Sequence, residues 1–163
     1  MAQIYISLGS NIHAAHYIKA GVRALQAEFG ELVLSSVFES EAVGFNGSNF
    51  LNMVAVANTS LSVTEVVARF KQIERDNGRT LDAKKFSPRT LDLDLLLYDN
   101  LVCQQPVELP RAEITVNAFV LWPLAEVAPS LVHPVVNQSY QVLWEAYNKD
   151  AQKLWPIEFS WID

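Results

Sequence analysis

The fold is outlined by one stretch near the start of the chain, Ile4-Tyr5-Ile6-Ser7-Leu8-Gly9-Ser10-Asn11. Every second residue of its first half is aliphatic, as in a half-buried β-strand, and Gly9-Ser10-Asn11 ends that strand. In Ala14–Phe29 apolar residues recur every three or four positions, which predicts an amphipathic helix that ends at Gly30. The chain therefore begins with a strand followed by a helix.

The rest of the chain continues with further strands and a second helix. Residues 31–38 and 50–58 are rich in β-branched and aromatic residues, and residues 90–98 form a fourth predicted strand. Ser62 with Glu65 has the pattern of a capping box, so a helix is expected from there to the residue before Gly78. The order βαββαβ predicts an α+β fold, a ferredoxin-like sandwich whose antiparallel sheet carries helices on one face and leaves the other face for a site. Additional C-terminal helices are expected from Thr115 onward, the last near residues 139–147.

Composition and charge narrow the class of protein. The chain has 163 residues, 50% of them hydrophobic, which suits one domain over residues 1–163. Cys103 is the only cysteine and residues 1–10 lack a signal-peptide pattern, so a cytoplasmic location is expected. The longest apolar stretch, residues 118–128, is too short to span a membrane. The formal net charge of −6 argues against nucleic-acid binding. We expect a monomer that acts on small molecules and has no membrane or nucleic-acid partner.

Positive charge is concentrated in one segment. Residues 69–89 contain seven basic and three acidic residues, a net charge of +4 in an acidic protein. One interpretation is a solvated helix face followed by a polar loop. The other is a set of cations that binds phosphate groups, and the residues that follow the segment favour it.

Asp92 and Asp94 follow this basic segment on the predicted strand 90–98. Two residues apart on a strand, their side chains leave the same face about 6.5 Å apart along the chain, while the intervening leucines point into the core. Such a pair can hold two hard cations for displacement at phosphorus. A solvent-facing polar strand face is the alternative. A carboxylate pair within a leucine-rich strand is costly unless metals or bases neutralise it, which favours a site for a nucleotide triphosphate.

Several motifs together resemble one enzyme family over nearly the whole chain. They are Tyr5-Ile6-Ser7-Leu8-Gly9-Ser10-Asn11, Phe50-Leu51-Asn52, Gly78-Arg79, Ser87-Pro88-Arg89-Thr90-Leu91-Asp92-Leu93-Asp94, Phe119-Val120-Leu121-Trp122-Pro123-Leu124 and Ala128-Pro129. The sequence is similar to 6-hydroxymethyl-7,8-dihydropterin pyrophosphokinase, an enzyme family of the folate pathway. The element P-R-T-L-D-L-D is far more specific to that family than two spaced aspartates.

The resemblance implies a reaction and a set of site residues. ATP would give its β,γ-diphosphate to the hydroxymethyl oxygen of the pterin and leave AMP, with two Mg²⁺ ions as cofactors held by Asp92 and Asp94. The catalytic residues implied are these two aspartates with Arg79 and Arg89. Nucleotide-binding residues implied by the resemblance are Glu74, Arg79, Phe86, Arg89, Leu95 and Arg111. Pterin-binding residues implied by it are Ser40, Val43, Gly44, Phe50, Asn52 and Phe119.

Three of the pterin-binding residues also have plain structural interpretations. Phe50 and Phe119 correspond to the aromatic pair that sandwiches the pterin, and a flat heterocycle between two rings is physically sensible, although either ring also suits a hydrophobic core. Asn52 is unfavourable inside a strand unless its amide is hydrogen bonded, and a pterin edge would satisfy it. An exposed position near a turn is the alternative for Asn52.

The chain departs from the family pattern after Pro110. Arg111, Ala112 and Asn117 stand where the family has a histidine, an aromatic residue and an arginine. The resemblance then implies the loss of one phosphate-binding cation at position 117, with Arg111 replacing part of that charge. Two interpretations remain: an active pyrophosphokinase with altered nucleotide contacts, or a binding-only or weakly active paralogue that keeps a pterin or nucleotide site.

Overall fold

The computed structural model describes residues 1–41, 49–78 and 90–162. Within them, six strands form one antiparallel sheet with the order β5-β1-β4-β3-β6, and β2 pairs with β4 beside β3. The strands are β1 (Ala2–Ser10), β2 (Val33–Leu34), β3 (Val37–Ser40), β4 (Phe50–Thr59), β5 (Asp92–Tyr98) and β6 (Leu154–Ile157). The helices are α1 (Ala14–Phe29), α2 (Val63–Asp76), α3 (Ala118–Val127) and α4 (Tyr140–Ala146), with a 3₁₀ helix at Ala112–Thr115.

Both helices of the predicted βαββαβ order form where the sequence places them. α1 has the predicted bounds and is followed by Gly30, whose φ of 82° suits a glycine. α2 begins with the expected capping box, in which the Ser62 hydroxyl accepts a hydrogen bond from the Glu65 N–H and the Ser62 N–H donates to the Glu65 carboxylate. The α+β architecture is therefore confirmed.

The single strand predicted at residues 31–38 is wrong, because the chain forms two strands there. Leu34 pairs with Ala55 and Phe38 pairs with Asn52, so four steps on one side match three on β4. The extra residue is accommodated at Ser35, whose hydroxyl accepts the N–H of Val54 in place of a backbone carbonyl. This is a bulge made by a side chain that competes with the backbone.

Helices cover both faces of the sheet, which corrects the expectation that one face is free. On the first face, Ile4, Ile6 and Leu8 of β1 pack in one hydrophobic cluster with α1 and α2. On the second face, Tyr5 and Val54 belong to a cluster formed with α3 and α4. These additional C-terminal helices cover only part of that face, and the uncovered part is where polar side chains of the strands collect. In the described ranges, no helix is long and apolar enough to cross a membrane.

Candidate active site

A cavity of about 480 Å³ opens on the second face of the sheet, beside α3. Its floor consists of three neighbouring strands on which Asp92, Gly9 and Asn52 are register partners, and Ser7 pairs with Asp94 in the next row. Strands lie about 4.8 Å apart, so β1 separates the backbone at Asp92 from that at Asn52 by about 10 Å. The cavity therefore has an acidic side on β5 and an amide side on β4.

The alternation of β5 places both aspartates on the cavity side of the sheet. Leu93 and Leu95 point into the first-face cluster and are at most 5% exposed, while Asp92 and Asp94 are half-buried and line the cavity. Moving β5 by one residue would bury both carboxylates and expose the leucines, each worth about 1.5–3 kcal/mol of burial. Packing of the leucines therefore holds the carboxylate pair in the cavity.

The electrostatic environment of Asp94 disfavours its charged form. Partial burial raises the pKa of Asp94 well above 3.8, and the nearby Asp92 carboxylate raises it further. Arg111 opposes this rise, with Nη2 3.2 Å from Asp94 Oδ1, but does not cancel it. The carboxylate pair therefore carries repulsion that a bound cation would relieve.

Arg111 is held between two carboxylates. Its Nε and Nη2 donate to Glu113 Oε1 at 3.1 and 3.0 Å, in addition to the contact with Asp94. Burial alone would lower the pKa of Arg111, but Asp94 and Glu113 together raise it above 12.5. The guanidinium is thus a permanent positive charge at the acidic side of the cavity, as its predicted role requires.

On the amide side, Asn52 is buried and hydrogen bonded within the protein. Its Nδ2 donates to Ser40 Oγ at 3.1 Å, so two of the predicted pterin-binding residues contact each other directly. A Cβ atom at Gly9 would lie 2.9 Å from Asn52 Oδ1. The amide therefore fits against the bare backbone of β1, and the alternative of an exposed, turn-proximal Asn52 is wrong.

Phe50 and Phe119 both line the cavity and are both half-buried. Phe50 begins β4, and Phe119 lies in the first turn of α3, so the two rings come from different layers. Neither belongs to the fully buried core, although Phe119 packs against its edge.

The described part of the basic segment divides between surface and cavity. Arg69 forms a 2.9 Å ion pair with Glu28 of α1, and Arg75 donates to Gln72 on the helix surface, while Lys71 lines the cavity. The solvated-face interpretation therefore holds for the two arginines. Glu74 also lines the cavity, and its Oε2 accepts the N–H of Leu93 at 2.8 Å, which ties α2 to β5 beside the aspartates.

Nine of the fourteen predicted site residues meet in this one cavity. They are Ser40, Phe50, Asn52, Glu74, Asp92, Asp94, Leu95, Arg111 and Phe119. The other five lie outside the described residues. They are Val43, Gly44, Arg79, Phe86 and Arg89.

Two residues of the site escaped the sequence analysis. Gly9 belongs to a quoted motif, but a short glycine-containing turn predicts no close approach to a side chain that lies 43 positions later in the chain. Glu113 follows Arg111 by two positions, and an acidic residue that orients a basic one has no distinctive sequence pattern. Both were decided by contacts that only the folded chain makes.

Comparison with known proteins supports one family. The sequence model of the family described as 7,8-dihydro-6-hydroxymethylpterin-pyrophosphokinase (HPPK) matches residues 5–129. A 2-amino-4-hydroxy-6-hydroxymethyldihydropteridine pyrophosphokinase of Aquifex aeolicus is 37% identical over 142 residues, which cover 85% of this chain and 88% of that protein. The Bacillus subtilis protein of the same name is 37% identical over 129 residues, 76% of each chain.

Solved structures agree at the level of the fold. The crystal structure of wild-type Plasmodium falciparum HPPK-DHPS has a TM-score of 0.73 and 13% sequence identity over 92% of this chain, and the matched part is 46% of that longer chain. This chain thus spans about half of the solved protein. From the family match, the relatives and the shared fold, this chain belongs to the 7,8-dihydro-6-hydroxymethylpterin-pyrophosphokinase family.

Proposed function

We propose that this protein transfers the β,γ-diphosphate of ATP to the hydroxymethyl group of 6-hydroxymethyl-7,8-dihydropterin, a step of folate biosynthesis. The hydroxymethyl oxygen forms a bond to the β-phosphorus, the bond from that phosphorus to the α-phosphate oxygen breaks, and AMP leaves while the hydroxyl proton passes to solvent. The observation that carries the proposal is the single cavity in which the Asp92–Asp94 pair and the Asn52–Ser40 pair lie on opposite sides of β1.

The amide side of the cavity suits a pterin. A pterin edge alternates hydrogen-bond donors and acceptors, which Asn52 and Ser40 can meet from a buried position. Phe50 and Phe119 offer aromatic surfaces for the flat ring. We place the ring between them, with Val43 and Gly44 as further contacts carried over from the family.

The acidic side suits hard divalent cations. Asp92 and Asp94 are oxygen donors whose mutual repulsion a cation would remove, and Mg²⁺ is usually held by one or two carboxylates with substrate phosphates completing its shell. No group of three or more potential ligands occurs among the described residues, so phosphate and water would supply the rest. Two Mg²⁺ ions in this site would neutralise the transferring diphosphate and its leaving group.

Positive side chains would hold the triphosphate beside the aspartates. Arg111 and Lys71 both reach the cavity, and Glu74 and Leu95 line the part next to β5. Arg79, Phe86 and Arg89 are proposed as further nucleotide contacts from the family resemblance alone. Orientation and charge neutralisation by these groups would supply most of the rate enhancement, since phosphoryl transfer needs no nucleophilic side chain.

The test is a product analysis of the purified protein incubated with Mg²⁺, ATP and the dihydropterin. AMP and pterin diphosphate in equal amounts support the proposal, and omission of Mg²⁺ should abolish both products. Formation of ADP in place of AMP contradicts it. Absence of AMP together with calorimetric binding of the pterin would favour the binding-only paralogue. A monomer with one domain stays a prediction, which light scattering on the same sample checks.

A further inference from the structure

Asn117 immediately precedes α3 but does not cap it. An asparagine at this position usually accepts a hydrogen bond from an N–H of the first helical turn, and here its side chain makes no such bond. Its Nδ2 donates to Glu113 Oε2 at 3.1 Å, and its Oδ1 accepts from Gln152 Nε2 at 3.0 Å. The side chain that stands in place of the family's arginine therefore links two other residues of the protein.

Gln152 supplies the hydrogen bond at the helix start instead. Its Oε1 accepts the N–H of Ala118, the first residue of α3, at 2.8 Å, while its Nε2 donates to Asn117. One half-buried amide group thus makes both contacts, across 34 and 35 residues of sequence. Gln152 lies beyond residues 5–129, the part of the chain that matches the family model.

The contacts of Gln152 lead to both sides of the cavity. Phe119 follows Ala118 directly and lines the cavity as well as an adjoining pocket of about 220 Å³, which is formed with residues 150–154. In the other direction, Glu113 uses one carboxylate oxygen for Asn117 and the other for Arg111, which contacts Asp94. A continuous series of hydrogen bonds and one ion pair therefore joins Gln152 to the acidic pair.

We infer that Gln152 is a positioning residue that fixes Phe119 for the pterin and Arg111 for the nucleotide phosphates. This inference rests on the proposed function for the identity of the two ligands. It also gives a physical meaning to Asn117: an arginine there has no acceptor for the Gln152 amide, so it would break the link. Asn117→Arg is therefore expected to lower pterin affinity, although it restores the residue of the family pattern.

The first experiment needs no ligand. In NMR spectra of the free protein, Gln152→Ala should accelerate hydrogen exchange at the Ala118 amide and shift the Arg111 Nε–H signal, because both groups depend on the link. The matched control is Gln141→Ala, which removes an exposed amide that contacts only Glu145 on α4 among the printed contacts of its side chain. The control should change neither signal.

The second experiment measures binding of 6-hydroxymethylpterin by calorimetry, with steady-state kinetics beside it. Gln152→Ala should raise the pterin Kd by about 5- to 30-fold, the size expected for losing one or two neutral hydrogen bonds, and raise KM more than it lowers kcat. Asn117→Ala should show the same direction, and the double variant should be no worse than the poorer single variant. If Gln152→Ala fails to fold, Asn117→Ala carries the test, since it removes the link and leaves the Ala118 bond.

The outcomes separate this inference from the proposed function. If the wild type binds the pterin but releases no AMP, the proposed reaction fails, while the effect of Gln152→Ala on Kd and on the Arg111 signal still supports the positioning role. If Gln152→Ala lowers the melting temperature but leaves both readouts as in the Gln141→Ala control, the residue is merely structural and the inference is overturned.

Discussion

Gly9→Ala places a methyl group where the structure leaves no room for it. The added Cβ would lie 2.9 Å from Asn52 Oδ1, a separation that carbon and oxygen do not tolerate. The backbone of β1 is held by pairing with β4 on one side and β5 on the other, so the Asn52 amide must move instead. Its hydrogen bond to Ser40 Oγ, now 3.1 Å long, would then break.

The expected cost falls on pterin binding rather than on folding. Displacing a buried amide that should contact the ligand costs about 1–3 kcal/mol, which corresponds to about a 5- to 150-fold weaker pterin affinity. Alanine is favoured over glycine within a strand by about 0.5–1 kcal/mol, which offsets part of the local strain, so the melting temperature should change little. ATP affinity should stay near the wild-type value, because the phosphate side of the cavity lies on β5.

A double-mutant cycle isolates the cause. Calorimetry with 6-hydroxymethylpterin should show a large effect of Gly9→Ala in the wild type and almost none in the Asn52→Ala background, where the obstructed amide is absent. An undiminished effect in that background would mean that the methyl group contacts the ligand itself. Wild-type affinity in the single variant would refute the reasoning about the Gly9–Asn52 contact.

Three further expectations address the same site and the fold around it. Asp92→Asn and Asp94→Asn should each abolish AMP release without lowering the melting temperature, because each removes a repelling charge; turnover within about tenfold of wild type would contradict the two-metal assignment. Asn52→Ala should weaken pterin binding by about 1–3 kcal/mol and scarcely affect ATP binding, whereas equal losses in calorimetry would indicate a structural role. Burial lowers the pKa of His133 below 6.5, so the unfolded chain takes up the proton more readily, and stability present above pH 6.5 should be lost as the pH falls. His133→Gln should reduce the difference in melting temperature between about pH 7.5 and about pH 5.5, and an unchanged difference would exclude His133 as its source.

Local patterns in the sequence were sufficient for the main elements of the fold. The periodicity of α1, the Ser62–Glu65 capping box and the alternation of aspartate and leucine in β5 each depend on residues a few positions apart, and all three occur in the structure. The alternation also predicts that both carboxylates share one face, because side-chain direction in a strand follows from sequence position alone.

Elements that depend on distant partners were not predictable in this way. The strand predicted at residues 31–38 divides because the Ser35 hydroxyl bonds the N–H of Val54, and a propensity pattern contains no information about that partner. β6 has only four residues, one of them Pro156, and exists because β3 offers an edge to pair with. α3 and α4 are apolar enough to be predicted as helices, but only packing decided that they cover the second face.

For the site, the sequence by itself determined the residue types that do the chemistry, and the tertiary structure decided how they are held. Asp92, Asn52 and Phe119 were identifiable from motifs, since metal, amide and aromatic contacts require particular side chains at particular positions. The bare backbone at Gly9 and the amide of Gln152 were not, because their importance lies in a close approach and in hydrogen bonds that span 34 or more residues. Such contacts form only when the chain brings separate strands and helices together, so no local pattern in the sequence records them.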